Sequence, residues 1–163
     1  MIECGRALLY NSKAFWVMAR KIKKSDRQRA VEKADRFCSL YVRLSHADQN
    51  WYCSCYTCNK RKHRKEIQCW HRIGRKYFSV RWDLDNVRPQ CVWCNDKRRW
   101  NGRTVEFKAH LIDEIWIDRV NAVDEKALAE VRDPANNKID TPDILEIAEI
   151  YKDLLKPYKH LMS

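Results

Sequence analysis

With 163 residues, 45% of them apolar and only three of them glycine, the chain is expected to fold as one compact, helix-rich domain, which excludes a disordered protein. No run of 18 apolar residues occurs and the first thirty residues lack the apolar core of a signal peptide, so neither a membrane protein nor an exported one is expected. The net charge of +11 is uneven, because residues 60–103 carry a net +10 and residues 104–163 a net −5, and this favours a polyanionic partner for the middle of the chain.

The first predicted element is a helix over residues 25–44. Ser25 is a suitable N-cap residue, and Asp26 suits the first turn. Apolar residues then recur at three- and four-residue spacing and form one stripe, while the other side of the helix is rich in arginine. With the lysines that precede it, this helix makes residues 1–50 a basic helical arm.

Two Cys-x-x-Cys pairs follow the arm. Thiolates paired at that spacing bind a tetrahedral zinc ion, and closing the site folds residues 59–90 into a loop. The alternative use of eight cysteines is a disulfide framework, but that requires an exported chain, and most of the cysteines cluster within residues 53–94. We therefore predict a structural Zn²⁺ site. Its ligands are Cys55, Cys58, Cys91 and Cys94.

The segment around and between the pairs carries most of the positive charge. Its basic side chains are predicted to contact the phosphate backbone of a nucleic acid, and the alternative is a solvated basic face without a partner. The predicted contacts are Lys60, Arg61, Lys62, Arg64, Lys65, Arg72, Arg75, Lys76, Arg88, Lys97, Arg98 and Arg99.

Within the same segment, residues 66–70 are predicted to form a short strand that delivers His71. The following loop, residues 72–85, shows strand-like alternation from Tyr77 to Trp82. Together these elements form a module over residues 51–103, which ends near the turn signal Asn101-Gly102.

Residues 104–163 are predicted to be a helical part that packs on the module or on a second subunit. Thr104 can cap a helix over residues 105–119, and a shorter helix is expected near residues 124–132. The last helix has the strongest signal, with Thr141 as N-cap and Pro142 at the first helical position.

The offsets of three polar residues from the cysteine pairs suggest a second site. His71 precedes Asn86 by fifteen residues, and Asn95 directly follows the last cysteine. This resembles the zinc-bearing HNH, or ββα-metal, nucleases, in which a His ends the first strand, an Asn pins the loop, and a His or Asn follows the last zinc cysteine. The fold class expected is therefore α+β, with a small ββα-metal module between helical parts.

Longer pieces of the chain resemble the NinG/Rap family of phage recombination endonucleases. These pieces are Tyr41-Val-Arg-Leu, Cys55-x-x-Cys58, Trp70-His71-Arg-Ile-Gly74, Val80-Arg-Trp-Asp-Leu-Asp-Asn86, Gln90-Cys-Val-Trp-Cys-Asn95 and Asn101-Gly102. The resemblance implies a phage-encoded nuclease in the cytoplasm of the bacterial host that acts on branched or nicked DNA, such as Holliday junctions. Two active sites would serve a junction, so a homodimer is expected.

Phosphodiester cleavage assigns roles to these residues. His71 as a neutral imidazole takes the proton of the attacking water, although a structural histidine or a zinc ligand is the alternative. A Mg²⁺ or Mn²⁺ ion bound partly through Asn95 stabilises the transition state, and Asn86 positions the loop. Arg81 or Arg88 clamps the phosphate, or merely positions the backbone.

One position departs from the HNH pattern. Many of these enzymes have an acidic metal ligand directly before the histidine, but Trp70 stands there and cannot ligate a hard cation. Asp83 and Asp85 are the nearest acidic substitutes, with loop capping and salt bridges to arginines as their alternative roles. The predicted function is a metal-dependent DNA endonuclease. A non-catalytic zinc DNA-binding protein and an RNA-directed nuclease are the alternatives left open.

Overall fold

The computed structural model describes residues 24–96 and 103–162. This part of the chain combines helices with two small antiparallel sheets, in agreement with the mixed helix and strand content expected. Two short 3-10 helices, Arg64–Glu66 and Lys156–Leu161, connect or end the main elements. The main elements are α1 (Asp26–Ser45), β1 (Tyr52–Ser54), β2 (Arg61–His63), β3 (Ile67–His71), α2 (Phe78–Arg81), β4 (Val87–Cys91), α3 (Thr104–Arg132) and α4 (Thr141–Leu154).

Some predictions fall on residues outside this part of the chain. They are the beginning of the basic arm, residues 1–23, and the turn signal Asn101-Gly102. The predicted phosphate contacts Lys97, Arg98 and Arg99 also lie outside the described residues.

The β3–β4 hairpin lies at the centre of the fold. The two strands pair antiparallel, with His71 opposite Val87, which agrees with the strand predicted to deliver His71. Successive side chains of a strand point to opposite faces, so Cys69 and His71 point to one side and Trp70 to the other. Each side is covered by a different helix.

Helix α1 packs on the Cys69 side together with α4. The predicted N-cap is confirmed, because the Gln28 backbone N–H donates to Ser25 Oγ at 3.2 Å and Gln28 Oε1 accepts from the Ser25 N–H at 2.8 Å. Residues from all three predicted parts of the chain meet in this core. Its buried members are Ala30, Ala34, Cys38, Val42, Cys69, Trp82, Val87, Ile144, Ala148 and Tyr151.

Helix α3 covers the opposite side of the hairpin. Trp70 is 6% exposed and packs there against a stripe on α3 that begins with Phe107 and Leu111. Two separate helices were predicted for this region, the first ending at residue 119 and the second beginning near residue 124. The structure instead interrupts one element at Trp116, whose φ of 68° breaks the helix.

One further local prediction is wrong. The alternating segment Tyr77–Trp82 is not a strand but contains the short helix α2, because the Glu130 carboxylate on α3 accepts from the N–H groups of Phe78 and Ser79 at 3.0 and 2.8 Å. The residue that caps α2 therefore comes from a distant helix, and the sequence around residues 77–82 does not reveal it.

The first residues of helices α3 and α4 differ from the prediction by one position. Asp140, not Thr141, is the N-cap of α4, and it forms a capping box with Asp143. Thr104 is the first residue of α3 rather than its cap. Among the helices described here, none has the length and apolar character needed to cross a membrane.

Candidate functional site

The two cysteine pairs come together as predicted. The four Sγ atoms lie within 4.8 Å of one another, and the Sγ atoms of Cys58 and Cys91 are 3.9 Å apart. Tetrahedral zinc with Zn–S bonds of about 2.3 Å needs sulfurs separated by about 3.8 Å. The donor set therefore fits a zinc ion, and these cysteines could hold such a metal.

Similar backbone turns shape both halves of this cluster. The Asn59 N–H donates to the Cys55 carbonyl at 2.9 Å, and the Asn95 N–H donates to the Cys91 carbonyl at 3.0 Å. The Cys91 N–H also donates to Cys55 Sγ at 3.3 Å, which joins the halves. Burial raises the pKa of the Cys94 thiol, so metal must displace protons from this cluster and binds less well as the pH falls.

His71 stands at the end of β3 and is buried, with 9% of its surface exposed. Burial lowers the pKa of its imidazole to about 4, and the positive charge of Arg75 adds to this effect, while the Asp35 carboxylate opposes it. Nδ1 faces the Arg75 Nε–H at 3.5 Å, which places the proton of the neutral ring on Nε2. The interaction of the ring with the Arg81 backbone raises its pKa and opposes part of the effect of burial. The imidazole is therefore neutral near pH 7 and can accept a proton.

This pKa gives a testable pH dependence of stability. The folded pKa of about 4 lies below the ordinary value of 6.5, so His71 stabilises the fold fully above pH 6.5 and loses this contribution as the pH falls towards 4. The shift corresponds to about 3 kcal/mol. In urea unfolding from pH 7 to pH 4, wild type should lose about that much stability relative to His71→Ala. A constant difference between the two proteins would contradict the lowered pKa.

Asn86 pins the loop that follows β3. Its side chain is fully buried, and its Oδ1 accepts from the Ile73 N–H at 2.8 Å. Its Nδ2 donates to the carbonyls of Ile73 and Val80, at 3.0 and 2.8 Å. The amide thus joins both ends of the loop directly behind His71, which is the positioning role expected from the sequence.

Replacing Asn86 with alanine leaves three backbone groups without their partner. We expect this to lower the free energy of unfolding by roughly 2–4 kcal/mol. The matched control is Asn137→Ala, which removes two amide bonds to the carbonyls of Ala129 and Asp133 at a half-exposed site. Urea unfolding of both variants measures the difference, and equal effects would show that Asn86 does not hold the loop.

A cavity of about 300 Å³ brings two predicted residues together. Asn95 is placed beside β3 by the second cysteine pair, and its Nδ2 donates to Gln68 Oε1. Asn86 lies behind the loop and does not line the cavity. The lining residues are Cys69, Trp70, His71, Gly74, Arg75 and Asn95.

The acidic residues predicted as metal ligands are placed elsewhere. Asp83 Oδ2 is 2.7 Å from Lys126 Nζ, and its Oδ1 accepts from the Asp85 N–H at 2.9 Å. Asp85 pairs with Arg119 at 2.6 Å. They take the capping and salt-bridge roles named as their alternatives. No carboxylate is present among the described residues that line the cavity, so this donor set does not fit Mg²⁺ or Mn²⁺.

The predicted phosphate clamps are likewise engaged inside the fold. Arg81 makes two contacts with the Asp35 carboxylate, at 2.9 and 2.6 Å. The side chain of Arg88 is 7% exposed and forms a forked pair with Glu114 at 3.0 Å. Arg72 pairs with Asp124 at 2.7 Å and is buried to the same degree. These three guanidinium groups are thus neutralised by carboxylates of the fold.

The other predicted phosphate contacts lie on the surface or near it. Arg61 pairs with Asp48, and Lys62 lies 3.6 Å from Glu66. Arg64 stacks over the ring of Trp51, and Lys76 over that of Tyr77. The exposed members of the predicted set are Lys60, Arg61, Lys65, Arg75 and Lys76.

Two residues near His71 were not assigned to the cavity from the sequence. Arg75 was predicted only as one of many phosphate contacts, but it lines the cavity. Asp35 lies on α1, and the negative charge of its carboxylate raises the pKa of His71. Burial raises the pKa of Asp35 itself, but the hydrogen bonds and charge of Arg81 hold the pKa of Asp35 below its usual range. No spacing rule links a residue of α1 to a cavity on β3, whereas the position of Arg75 four residues after His71 was a usable signal.

Comparison of the chain with protein-family models, curated proteins and solved structures finds no match. What the cavity can do therefore follows from its own geometry. It combines a neutral imidazole, a guanidinium and an amide beside a four-cysteine cluster. That combination provides a base, a positive charge and a hydrogen-bonding group.

Proposed function

We propose that this chain is a DNA endonuclease that hydrolyses phosphodiester bonds at the His71 cavity, with zinc holding the cysteine pairs together. The observation that carries the proposal is the placement of a neutral His71 beside Arg75 and Asn95 in one cavity. Hydrolysis of a phosphodiester needs a base for water and a positive charge for the phosphate, and both lie there.

In the proposed reaction, a water oxygen attacks phosphorus while His71 Nδ1 takes its proton. The P–O3′ bond then breaks, and the departing 3′ oxygen takes a proton from solvent water. His71 returns its proton to the hydroxide that is left, which regenerates the neutral imidazole. The products are a 5′-phosphate and a 3′-hydroxyl. Asn86 holds the loop that follows His71 through its bonds to Ile73 and Val80.

No step of this proposal passes through magnesium or manganese. Mg²⁺ is ordinarily held by one or two carboxylates together with substrate phosphates. Among the described residues that line the cavity, Asn95 alone offers a side-chain oxygen ligand. The catalytic Mg²⁺ or Mn²⁺ expected from the sequence is therefore left out of the proposed reaction. The metal that it retains is a structural zinc in the four-cysteine cluster, which positions Asn95 and closes residues 59–90.

DNA as the substrate is supported by charge. The net +10 of residues 60–103 and the exposed lysines and arginines near the cysteine cluster suit a phosphate backbone. The preference for branched DNA, the phage origin and a homodimer with two active sites are proposed from the resemblance to the NinG/Rap family.

The proposal is tested with end-labelled substrates of matched sequence. Zinc-loaded protein is incubated with a four-way junction, a linear duplex, a single strand and an RNA hairpin. Cleavage of the junction to 5′-phosphate and 3′-hydroxyl ends is expected. Binding of DNA without cleavage of any substrate would instead identify a zinc-containing DNA-binding protein, and cleavage of the RNA alone would identify a ribonuclease.

A further inference from the structure

Arg75 occupies a special place among the basic residues. It lines the cavity, and its Nε faces His71 Nδ1 at 3.5 Å, a long and weak contact. Its backbone carbonyl accepts from Arg81 Nη1 at 2.8 Å, so the loop position is fixed while the side chain is exposed. The nearby Asp35 carboxylate pairs with Arg81 instead. The charge of Arg75 is therefore directed at the cavity.

We propose that Arg75 is a catalytic residue that covers the base nitrogen of His71 in the free protein and moves onto the phosphodiester when substrate enters. This inference rests on the proposed nuclease function and assigns the group that receives the phosphate. His71 Nδ1 becomes available to the attacking water only when the Arg75 side chain has moved to the substrate.

The relative strength of the two contacts favours this exchange. A charge-assisted contact from guanidinium to a phosphate oxygen is short, about 2.7–2.9 Å, and can use two N–H groups at once. The contact to His71 uses one N–H at 3.5 Å to a neutral acceptor. A phosphodiester in the cavity therefore competes successfully for Arg75.

The space and charge of the cavity fit the same ligand. A Cβ atom built at Gly74 meets nothing within 4 Å, so the mouth beside Arg75 is open. The described lining residues carry no carboxylate that would repel an anion. Three charged groups act on His71: the positive Arg75 and Arg81 and the negative Asp35. Arg81 and Asp35 form an ion pair and neutralise each other.

Movement of Arg75 from His71 to the phosphodiester adds no proton transfer to the reaction. The freed Nδ1 lone pair accepts one proton from the attacking water, and the guanidinium stays protonated throughout. Arg75 faces the non-bridging phosphate oxygens, where negative charge grows as the new P–O bond forms and the P–O3′ bond breaks.

The first test is single-turnover cleavage by Arg75→Ala and Arg75→Lys. Removing the guanidinium should lower the rate at saturating protein about 10²-fold. Lysine restores the positive charge but not the two parallel N–H donors of the guanidinium, so the cleavage rate of Arg75→Lys is expected to be about 10-fold lower than that of wild type. Arg132→Ala, at the exposed end of α3, is the matched control and should cleave like wild type. Equal rates for Arg75→Ala and wild type would overturn the proposal.

The second test does not depend on cleavage. Dithymidine monophosphate, a minimal phosphodiester, is titrated into zinc-loaded protein while NMR follows Arg75 Nε and the His71 ring. Both signals should shift together at saturation in wild type, and the His71 shift should be lost in Arg75→Ala. In the free protein, Arg75→Ala should also raise the pKa of His71, because a positive neighbour is removed.

These readouts separate two kinds of failure. If both signals respond to the phosphodiester but no nucleic acid is cleaved, the nuclease function fails while the phosphate contact stands. If wild type cleaves DNA but Arg75 does not respond to the phosphodiester, the Arg75 proposal fails while the nuclease function stands.

Discussion

Replacement of Cys94 by serine is expected to abolish stoichiometric zinc binding and to unfold the region around the cysteine cluster. Cys94 is fully buried, and its Sγ belongs to the group of four within 4.8 Å. Structural zinc contributes an apparent binding free energy of about 10–16 kcal/mol in small zinc modules, which is comparable with the whole stability of a domain. Zinc content by elemental analysis and the melting temperature measure the loss.

Cys53→Ser is the matched control for this experiment. Cys53 is 1% exposed and packs in the same apolar cluster, but its thiol is not one of the four. Burial raises the pKa of Cys53 to about 11, so its thiol stays protonated at neutral pH. This variant should retain one zinc per chain and lose only about 1 kcal/mol. A full zinc complement in Cys94→Ser would contradict the assignment of the metal centre.

Replacement of His71 by alanine is expected to have the largest effect on cleavage. A positioned general base contributes about 10²–10⁴-fold to the rate, and the rate constant for junction cleavage should fall by that factor. Zinc content and DNA affinity should persist, because His71 belongs neither to the four-cysteine cluster nor to the exposed basic surface. A pH–rate profile of wild type should show an acid limb near the pKa of about 4.

The matched control is His110→Ala. His110 is exposed on α3, and its Nδ1 contacts the Tyr56 carbonyl at 2.8 Å, outside the cavity. Its cleavage rate should stay within about threefold of wild type. Equal losses in the two variants would show that the effect of His71→Ala is not specific to the cavity.

The metal centre was the feature best predicted from the sequence. Each Cys-x-x-Cys closes through a local backbone turn, so spacing alone constrains the geometry of each half. The positions of His71 and Asn86 relative to the pairs also carried information, because both lie beside hairpin strands whose register is fixed. The predicted positioning role of Asn86 agrees with its bonds to Ile73 and Val80.

Trp70 is explained by the alternation of side chains in β3. An acidic residue was expected before His71, but the Trp70 side chain packs into the core below α3, although the residue also borders the cavity. A carboxylate there would be buried among apolar side chains without a partner. The local sequence predicts the strand but not which helix covers each face, so this outcome required the tertiary structure.

The partners of arginines and aspartates could not be predicted for a related reason. Arg81 pairs with Asp35, and Arg88 with Glu114, across 46 and 26 residues of sequence. Such pairs depend on how distant helices pack. Helix α2 is another case, because its N–H groups are capped by Glu130 from α3.

The cysteine cluster and the cavity form one structural unit. Closing the two pairs brings Asn95 to the side of β3, where it bonds to Gln68, and the hairpin then places His71 in the same cavity. Loss of zinc should therefore abolish cleavage and unfold the region around the cysteine cluster, whereas loss of His71 should slow cleavage about 10²–10⁴-fold while zinc is retained.

The most direct test of a nuclease centred on His71 is the nicking of supercoiled plasmid by wild type and His71→Ala at equal zinc content. Wild type is expected to convert the plasmid to its nicked form, and the variant to leave it supercoiled over the same time while still binding it. Nicking at the same rate by both proteins, or by neither, would contradict that function for the cavity.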